Sequence, residues 1–260
     1  VVINKLGLST TLSVVNPRSA WSIQAKRCPW QYVRIFKEMT KEEKKFIVIR
    51  VLSNAFIFGG IAIILVTYGP WIFGNAKVFL ASKRGVTWEL SENQNNTNST
   101  SFIKSLLDKK PIALEPKNKD FSIVIPRIGL SVPVVEDVAV ENREDYLNAL
   151  KNGVAHAKGS VYPGESGNSY YFAHSSLDFW ELGPYATSFN LLNRLWPGDI
   201  IFVYYKNQRY TFKILQTELV KGWDTAPYFR DFLRPMLTLQ TCDPPGTTLN
   251  RFLVLAELVK

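Results

Sequence analysis

Apolar positions along this chain fall into contrasting regimes. Between Val51 and Phe73 they are almost continuous, and the stretch VLSNAFIFGGIAIILVTYGPWIF has 23 residues and no charge. At a rise of about 1.5 Å per helical residue, that run can cross a hydrocarbon core of about 30 Å. It predicts a transmembrane helix. A buried core helix is the plainer alternative, but such helices are usually shorter and interrupted by polar residues. Tyr68 and Trp71 near the far end suit an interfacial aromatic belt. From Phe121 onward the pattern changes to short apolar runs split by Gly, Pro and Asn: FSIVIPRIG, LSVPVVEDV, SYYFAHSS, DIIFVYY, QRYTFKILQTELV, PMLTLQTC and RFLVLAELV. Runs of this length, rich in β-branched and aromatic residues, predict strands. One helix is predicted over 142–152, where Asn142 can cap and Tyr146, Leu147 and Leu150 share a face. Many short strands with few helices imply an all-β barrel or sandwich.

The flanks of the apolar run set its direction. Lys41, Lys44, Lys45 and Arg50 crowd the near side, whereas Lys77, Lys83 and Arg84 lie further out on the far side. The positive-inside rule then places the N-terminus in the cytoplasm and everything after Phe73 outside. A cleaved signal peptide competes with this assignment, but 50 residues precede the run and it exceeds a typical h-region, which favours an uncleaved signal anchor. The expected organisation is a cytoplasmic tail over 1–45, without clean periodicity, and a membrane anchor over 46–73. A stalk over 74–120 and a β-rich domain over 121–260 follow. Within the stalk, SENQNNTNSTS (91–101) is too poor in apolar side chains to pack, and 109–119 is rich in Lys and Pro. Asn95 and Asn98 sit in formal glycosylation sequons, which matter only in a glycosylating cell.

Charge sharpens the division. The chain of 260 residues carries a formal +9, which would suggest a polyanionic partner if it were spread over the folded part. Counted by segment, the net charge is +7 over 1–50, +3 over 51–120 and −1 over 121–260. A nucleic-acid binder concentrates basic residues on its folded domain, because phosphate neutralisation supplies most non-specific affinity. No nucleic-acid partner is expected.

Only two cysteines occur, Cys28 and Cys242. The predicted topology puts a membrane between them, which leaves Cys242 an unbridged thiol in an oxidising compartment, where a thiol needs a reason. No CxxC or Cys/His cluster has zinc-ligand spacing, so no metal and no cofactor are expected. Thr238-Leu239-Gln240-Thr241-Cys242 reads as a strand that ends on the cysteine, just before the turn Asp243-Pro244-Pro245-Gly246. Nine residues after Cys242, Arg251 opens the next run, and an antiparallel return would set its guanidinium near the sulfur. A cation there favours thiolate and stabilises an oxyanion. The two histidines are His156 and His174, and His174 closes the run Tyr170-Tyr171-Phe172-Ala173. Acyl transfer by a Cys nucleophile needs a proton acceptor and then a donor, and imidazole does both near neutral pH.

TLQTC matches the TLxTC signature of sortases, with the histidine on a preceding strand and the arginine shortly downstream as in that family. The resemblance covers roughly 121–260 and includes Gly-Ser-Val-Tyr-Pro-Gly-Glu-Ser-Gly-Asn (159–168) and Leu-Trp-Pro-Gly-Asp (195–199). It implies an eight-stranded sortase-type β-barrel with one or two short helices behind a single N-terminal transmembrane helix. It also implies that Cys242, His174 and Arg251 are catalytic, with Thr241 positioning substrate beside the sulfur. His156, in Gly153-Val154-Ala155-His156, resembles a second, non-catalytic histidine of some subclasses. Ser175-Ser176 follow His174 where many members carry Arg, which leaves the subclass open. The implied activity is cleavage of an LPXTG-like sorting signal in protein substrates and transfer of the acyl group to an amine, from a cell-wall precursor or a pilin lysine. Two alternatives stand beside it: a membrane-tethered cysteine peptidase that passes the acyl group to water, and a non-catalytic β-barrel module that binds peptides or wall polymers. Each residue also has a plainer role. A cysteine is more often a small core hydrophobe than a nucleophile, Arg251 can be a solvated rim charge, and Thr238 and Thr241 are good strand formers.

Overall fold

The computed structural model describes residues 40–91, 102–139, 143–174, 185 and 187–260, without the side chains of Pro70, Trp71 and Arg143. Cys28, the tail over 1–39, the sequons and the capping residue Asn142 lie outside the described residues. The chain divides into two units, Val1–Ile61 and Ala62–Lys260.

The described part of the first unit is helical. Helix α1 spans Lys41–Arg84. Thr40 caps it reciprocally: the Thr40 backbone N–H donates to a Glu43 carboxylate oxygen at 2.9 Å, and the Glu43 N–H donates to the Thr40 hydroxyl at 3.3 Å. The stretch Lys41–Gly69 is long and apolar enough to cross a membrane, and none of its most apolar window is covered by protein. It is therefore not a core helix of the described fold.

In the second unit the helix continues to Arg84, beyond the boundary expected at residue 73. Gly85 ends it in a left-handed conformation (φ 67°), with the Val86 N–H returning to the Ala81 carbonyl at 2.9 Å. On either side of the polar run 91–101 the segment expected as a stalk carries regular elements. Strand β1 (Trp88–Leu90) pairs in parallel with β2 (Ile112–Leu114), and helix α2 spans Phe102–Asp108. The apolar residues Trp88, Leu90, Ile112 and Leu114, spread through a polar stretch, supply the contacts that a composition average conceals.

Eight strands close a barrel in the order β10-β8-β7-β3-β4-β5-β6-β9. They are β3 (Phe121–Ile125), β4 (Leu130–Val138), β5 (Val154–Ala157), β6 (Gly167–Phe172), β7 (Ile200–Tyr205), β8 (Gln208–Lys221), β9 (Pro235–Asp243) and β10 (Asn250–Leu258). Helix α3 (Arg143–Asn152) has the expected apolar face, with Ala149 and Leu150 buried and Tyr146 and Leu147 half-buried. Gly153 ends the α3 turn where a Cβ would sit 2.4 Å from the Pro133 carbonyl oxygen, and that close approach lets β5 run parallel to β4. Phe121, Ile123, Ile125, Tyr171, Phe189, Phe212, Leu237, Leu239 and Val254 fill the interior. Strands β6 and β9 also run parallel as neighbours, so their C-terminal ends emerge at one mouth of the barrel.

Candidate active site

Cys242 is the penultimate residue of β9, and the antiparallel return through β10 pairs it directly with Arg251. The guanidinium Nη1 donates to the Cys242 sulfur at 3.0 Å. Cys242 is half-buried and not in a disulfide. The contact sets a permanent cation against the sulfur.

His174 reaches the same mouth along the neighbouring strand. The parallel register of β6 and β9 runs through Phe172 opposite Gln240, and the Ala173 N–H continues it to the Gln240 carbonyl at 3.3 Å. His174 lies two residues beyond Phe172, as Cys242 lies two beyond Gln240. The imidazole meets the Tyr146 ring edge to face at 5.3 Å, and Tyr146 stacks on Phe172 at 5.5 Å. Burial lowers the His174 pKa below the ordinary imidazole value. Its Nε2 is enclosed and meets no hydrogen-bond partner among the described residues. The Tyr146 phenol is pushed up to about 12, first by burial and then by the negative charge of Cys242, with Arg251 opposing. Tyr146 thus lies within electrostatic reach of both the sulfur and the guanidinium.

The sulfur opens into a cleft of about 540 Å³ to which Tyr146, Tyr170, Phe172, Tyr228 and Phe229 contribute aromatic walls. Tyr170 donates to Gln240 Oε1 at 2.6 Å and packs edge to face on Tyr228. The Tyr228 hydroxyl in turn donates to the Lys158 carbonyl. The loop over 222–234 that carries this wall is pinned by a two-armed contact from Arg230 to the Glu218 carboxylate, at 3.0 and 2.7 Å. At its start, the Gly222 N–H donates to the Leu249 carbonyl, and a Cβ at 222 would overlap the Thr248 carbonyl oxygen. A mostly apolar cleft with a few convergent polar groups suits an extended peptide.

The two threonines of the TLQTC strand separate. Thr238 is buried and donates to Asn168 Oδ1 at 2.8 Å, tying β9 to β6. Thr241 lines the cleft beside Cys242, is 5% exposed, and its hydroxyl meets no partner among the described residues. His156 is elsewhere: it is 1% exposed, with Nε2 at 3.1 Å from the Val161 carbonyl and 3.0 Å from the Ser160 hydroxyl. Among the described residues no group of three or more His, Cys, Asp or Glu side chains has the arrangement to hold a metal ion. Tyr146, Tyr170 and Tyr228 escape sequence reasoning as site residues. Only the aromatic richness of the strands hints at them.

A closed β-barrel that presents a thiol under a guanidinium in a peptide-sized cleft is the framework of a thiol-dependent acyl-transfer enzyme. A model of the Sortase domain matches residues 123–259. The chain belongs to the sortase family, and sortases are cysteine transpeptidases. It is 26% identical to Sortase D of Bacillus subtilis (strain 168) over 165 residues, which are 62% of this chain and 73% of that relative. Among solved structures it resembles sortase C-1 of Actinomyces oris, at 28% identity and a TM-score of 0.46, over 55% of this chain and 76% of that one. It also resembles the Clostridium perfringens Sortase D5 transpeptidase, at 21% identity and a TM-score of 0.44, over 56% and 82% of the two chains.

Proposed function

We propose that this chain is a membrane-anchored sortase that cleaves an LPXTG-like sorting signal and transfers the acyl group to an amine, from a cell-wall precursor or a pilin lysine. The observation that carries this reading is the 3.0 Å contact of Arg251 with the Cys242 sulfur, beside a parallel strand that delivers His174 to the same mouth. The Cys242 thiolate attacks the Thr-Gly carbonyl of the signal, forming a C–S bond and a tetrahedral oxyanion, and Arg251 with a backbone N–H stabilises that charge. The C–N bond then breaks as His174 protonates the departing amine, leaving a thioester on Cys242. An incoming amine attacks the thioester, gives its proton to His174, and expels the thiolate. The unpartnered Thr241 hydroxyl in the cleft wall supplies a hydrogen bond to the bound peptide.

The helix over 46–73 serves as a single-pass anchor, with residues 1–45 cytoplasmic and the domain over 121–260 outside, because the basic residues crowd its N-terminal flank. Residues 74–120 link the two. The test is mass spectrometry of the enzyme incubated with an LPXTG-type peptide. A thioacyl adduct on Cys242, absent from Cys242→Ala and discharged faster by added amine than by water, is the expected result. Peptide cleavage that persists unchanged in Cys242→Ala overturns the proposal, and discharge indifferent to amine assigns the enzyme to hydrolysis.

A further inference from the structure

Where the apolar run ends, the barrel begins. Phe73 closes the uncharged stretch, and two residues later Asn75 Oδ1 accepts a hydrogen bond of 3.0 Å from Arg194 Nη2. Arg194 closes the short turn Leu192–Arg194 that leads into β7. A Cβ at Gly74 would meet Leu191, and Ala81 and Val86 on the following turns are fully or nearly buried. The end of α1 thus lies against the segment that leads into β7.

The distances follow from helix geometry. At about 1.5 Å per residue, Asn75 lies about 3 Å and Phe79 about 9 Å beyond Phe73 along the axis. The headgroup zone on each side of a bilayer is about 5–8 Å deep. A hydrocarbon edge near Phe73 therefore puts this base of the barrel at headgroup depth. Its surface has the matching chemistry. Trp196 is 65% and Phe79 60% exposed. A cleft of about 460 Å³ between helix and barrel includes both, together with Trp88, Arg127 and Arg194. Among the described residues Asp199 is the one carboxylate of that cleft, and it stands 3.8 Å from the half-exposed Arg127. Lys83 and Arg84 extend the positive rim along α1. Aromatic rings beside cations are the side chains that settle at a bilayer interface with anionic headgroups.

We propose that the cleft between the end of α1 and the base of the barrel is a membrane-interface site, in which Arg127 and Arg194 bind the phosphate of an anionic phospholipid while Trp196 and Phe79 lie at the acyl boundary. The proposal rests on the membrane-anchored reading above. The bilayer is favoured over a second protein because the apolar run ends within one helical turn of the cleft. Docking here fixes the height and tilt of the barrel on the membrane.

The test reconstitutes the full chain in phosphatidylcholine vesicles, with and without phosphatidylglycerol, and reads tryptophan quenching by lipids brominated near the headgroup. The difference between the parent and Trp196→Phe isolates Trp196. The expected result is a Trp196 signal quenched by the brominated lipid, more strongly with phosphatidylglycerol, and an Arg127→Gln/Arg194→Gln variant that loses the phosphatidylglycerol dependence. A chain that floats with the vesicles while Trp196 stays unquenched overturns the interface site and leaves the anchor standing. A chain that does not float overturns the anchor, and this site with it.

Discussion

The two histidines of this chain occupy different environments, although each leaves one ring nitrogen without a partner among the described residues. His156 sits in an aromatic nest with Phe121, Tyr162 and Tyr171, its rings at 5.6, 4.9 and 5.3 Å, and its Nε2 is fixed by Ser160 and Val161. His174 stands at a strand end on the edge of Tyr146, with its Nε2 enclosed and unpartnered among the described residues. Burial lowers both pKa values, so protonation tendency alone does not tell them apart. Position does. The His156 ring is locked into the interior, whereas His174 stands just past the end of β6, whose parallel neighbour β9 carries Cys242.

That contrast breaks most sharply on activity. Replacing His174 by Ala is expected to lower the acyl-transfer rate by about 10²–10⁴-fold, whereas His156→Gln leaves it within a few-fold. Equal losses at the two positions in single-turnover kinetics would erase the distinction. Arg251 comes next: Arg251→Ala loses about 10²–10³-fold in kcat, the scale of one oxyanion donor. Arg251→Lys, which keeps the charge without the fork, recovers part of it. A smaller effect is expected at Tyr146, whose removal opens the His174 pocket to water. With Tyr146→Ala the pH limb of kcat/KM that belongs to the imidazole should rise toward about 6.5, because relief of desolvation raises a lowered histidine pKa. A limb that stays in place would mean that Tyr146 does not enclose the ring.

The smallest effect is on stability. Both folded imidazoles take up protons at lower pH than their unfolded counterparts, so between those values the unfolded chain binds more protons. Their contribution is complete above about pH 6.5 and is lost as pH falls through the lowered folded values. Tm should therefore drop on acidification. His156→Gln should cost about 1–3 kcal/mol through its lost hydrogen bonds and flatten that drop, as differential scanning fluorimetry across pH would record.

Much of this architecture is written in local pattern. The seven apolar runs became β3, β4, β6, β7, β8, β9 and β10, because each is long enough to carry its own periodicity. Strand β5 had no such signal. Val-Ala-His-Ala has four residues, two of them alanine, and it is a strand because Gly153 admits it against β4. The linker was legible only in part: the polar run 91–101 and the Lys- and Pro-rich 109–119 gave no sign of the few apolar residues that pair β1 with β2, nor of the helical turns that carry α1 to Arg84. At the site, the nine-residue spacing from Cys242 to Arg251 is realised as a direct cross-strand pair, since a tight return fixes register. The contact of Tyr146 with His174 was not legible, because it depends on how α3 packs beside the end of β6. Nor did sequence separate Thr238, bonded to Asn168, from Thr241, left open to the cleft.

The parallel pairing of β6 with β9 joins segments that are 70 residues apart, as the Tyr170–Gln240 bond spans them. The sulfur and its guanidinium come from β9 and β10, which follow all six other barrel strands in the chain. A partly emerged polypeptide therefore holds an imidazole without a nucleophile. Only closure of the ring sets the sulfur and its guanidinium beside the strand that leads to His174.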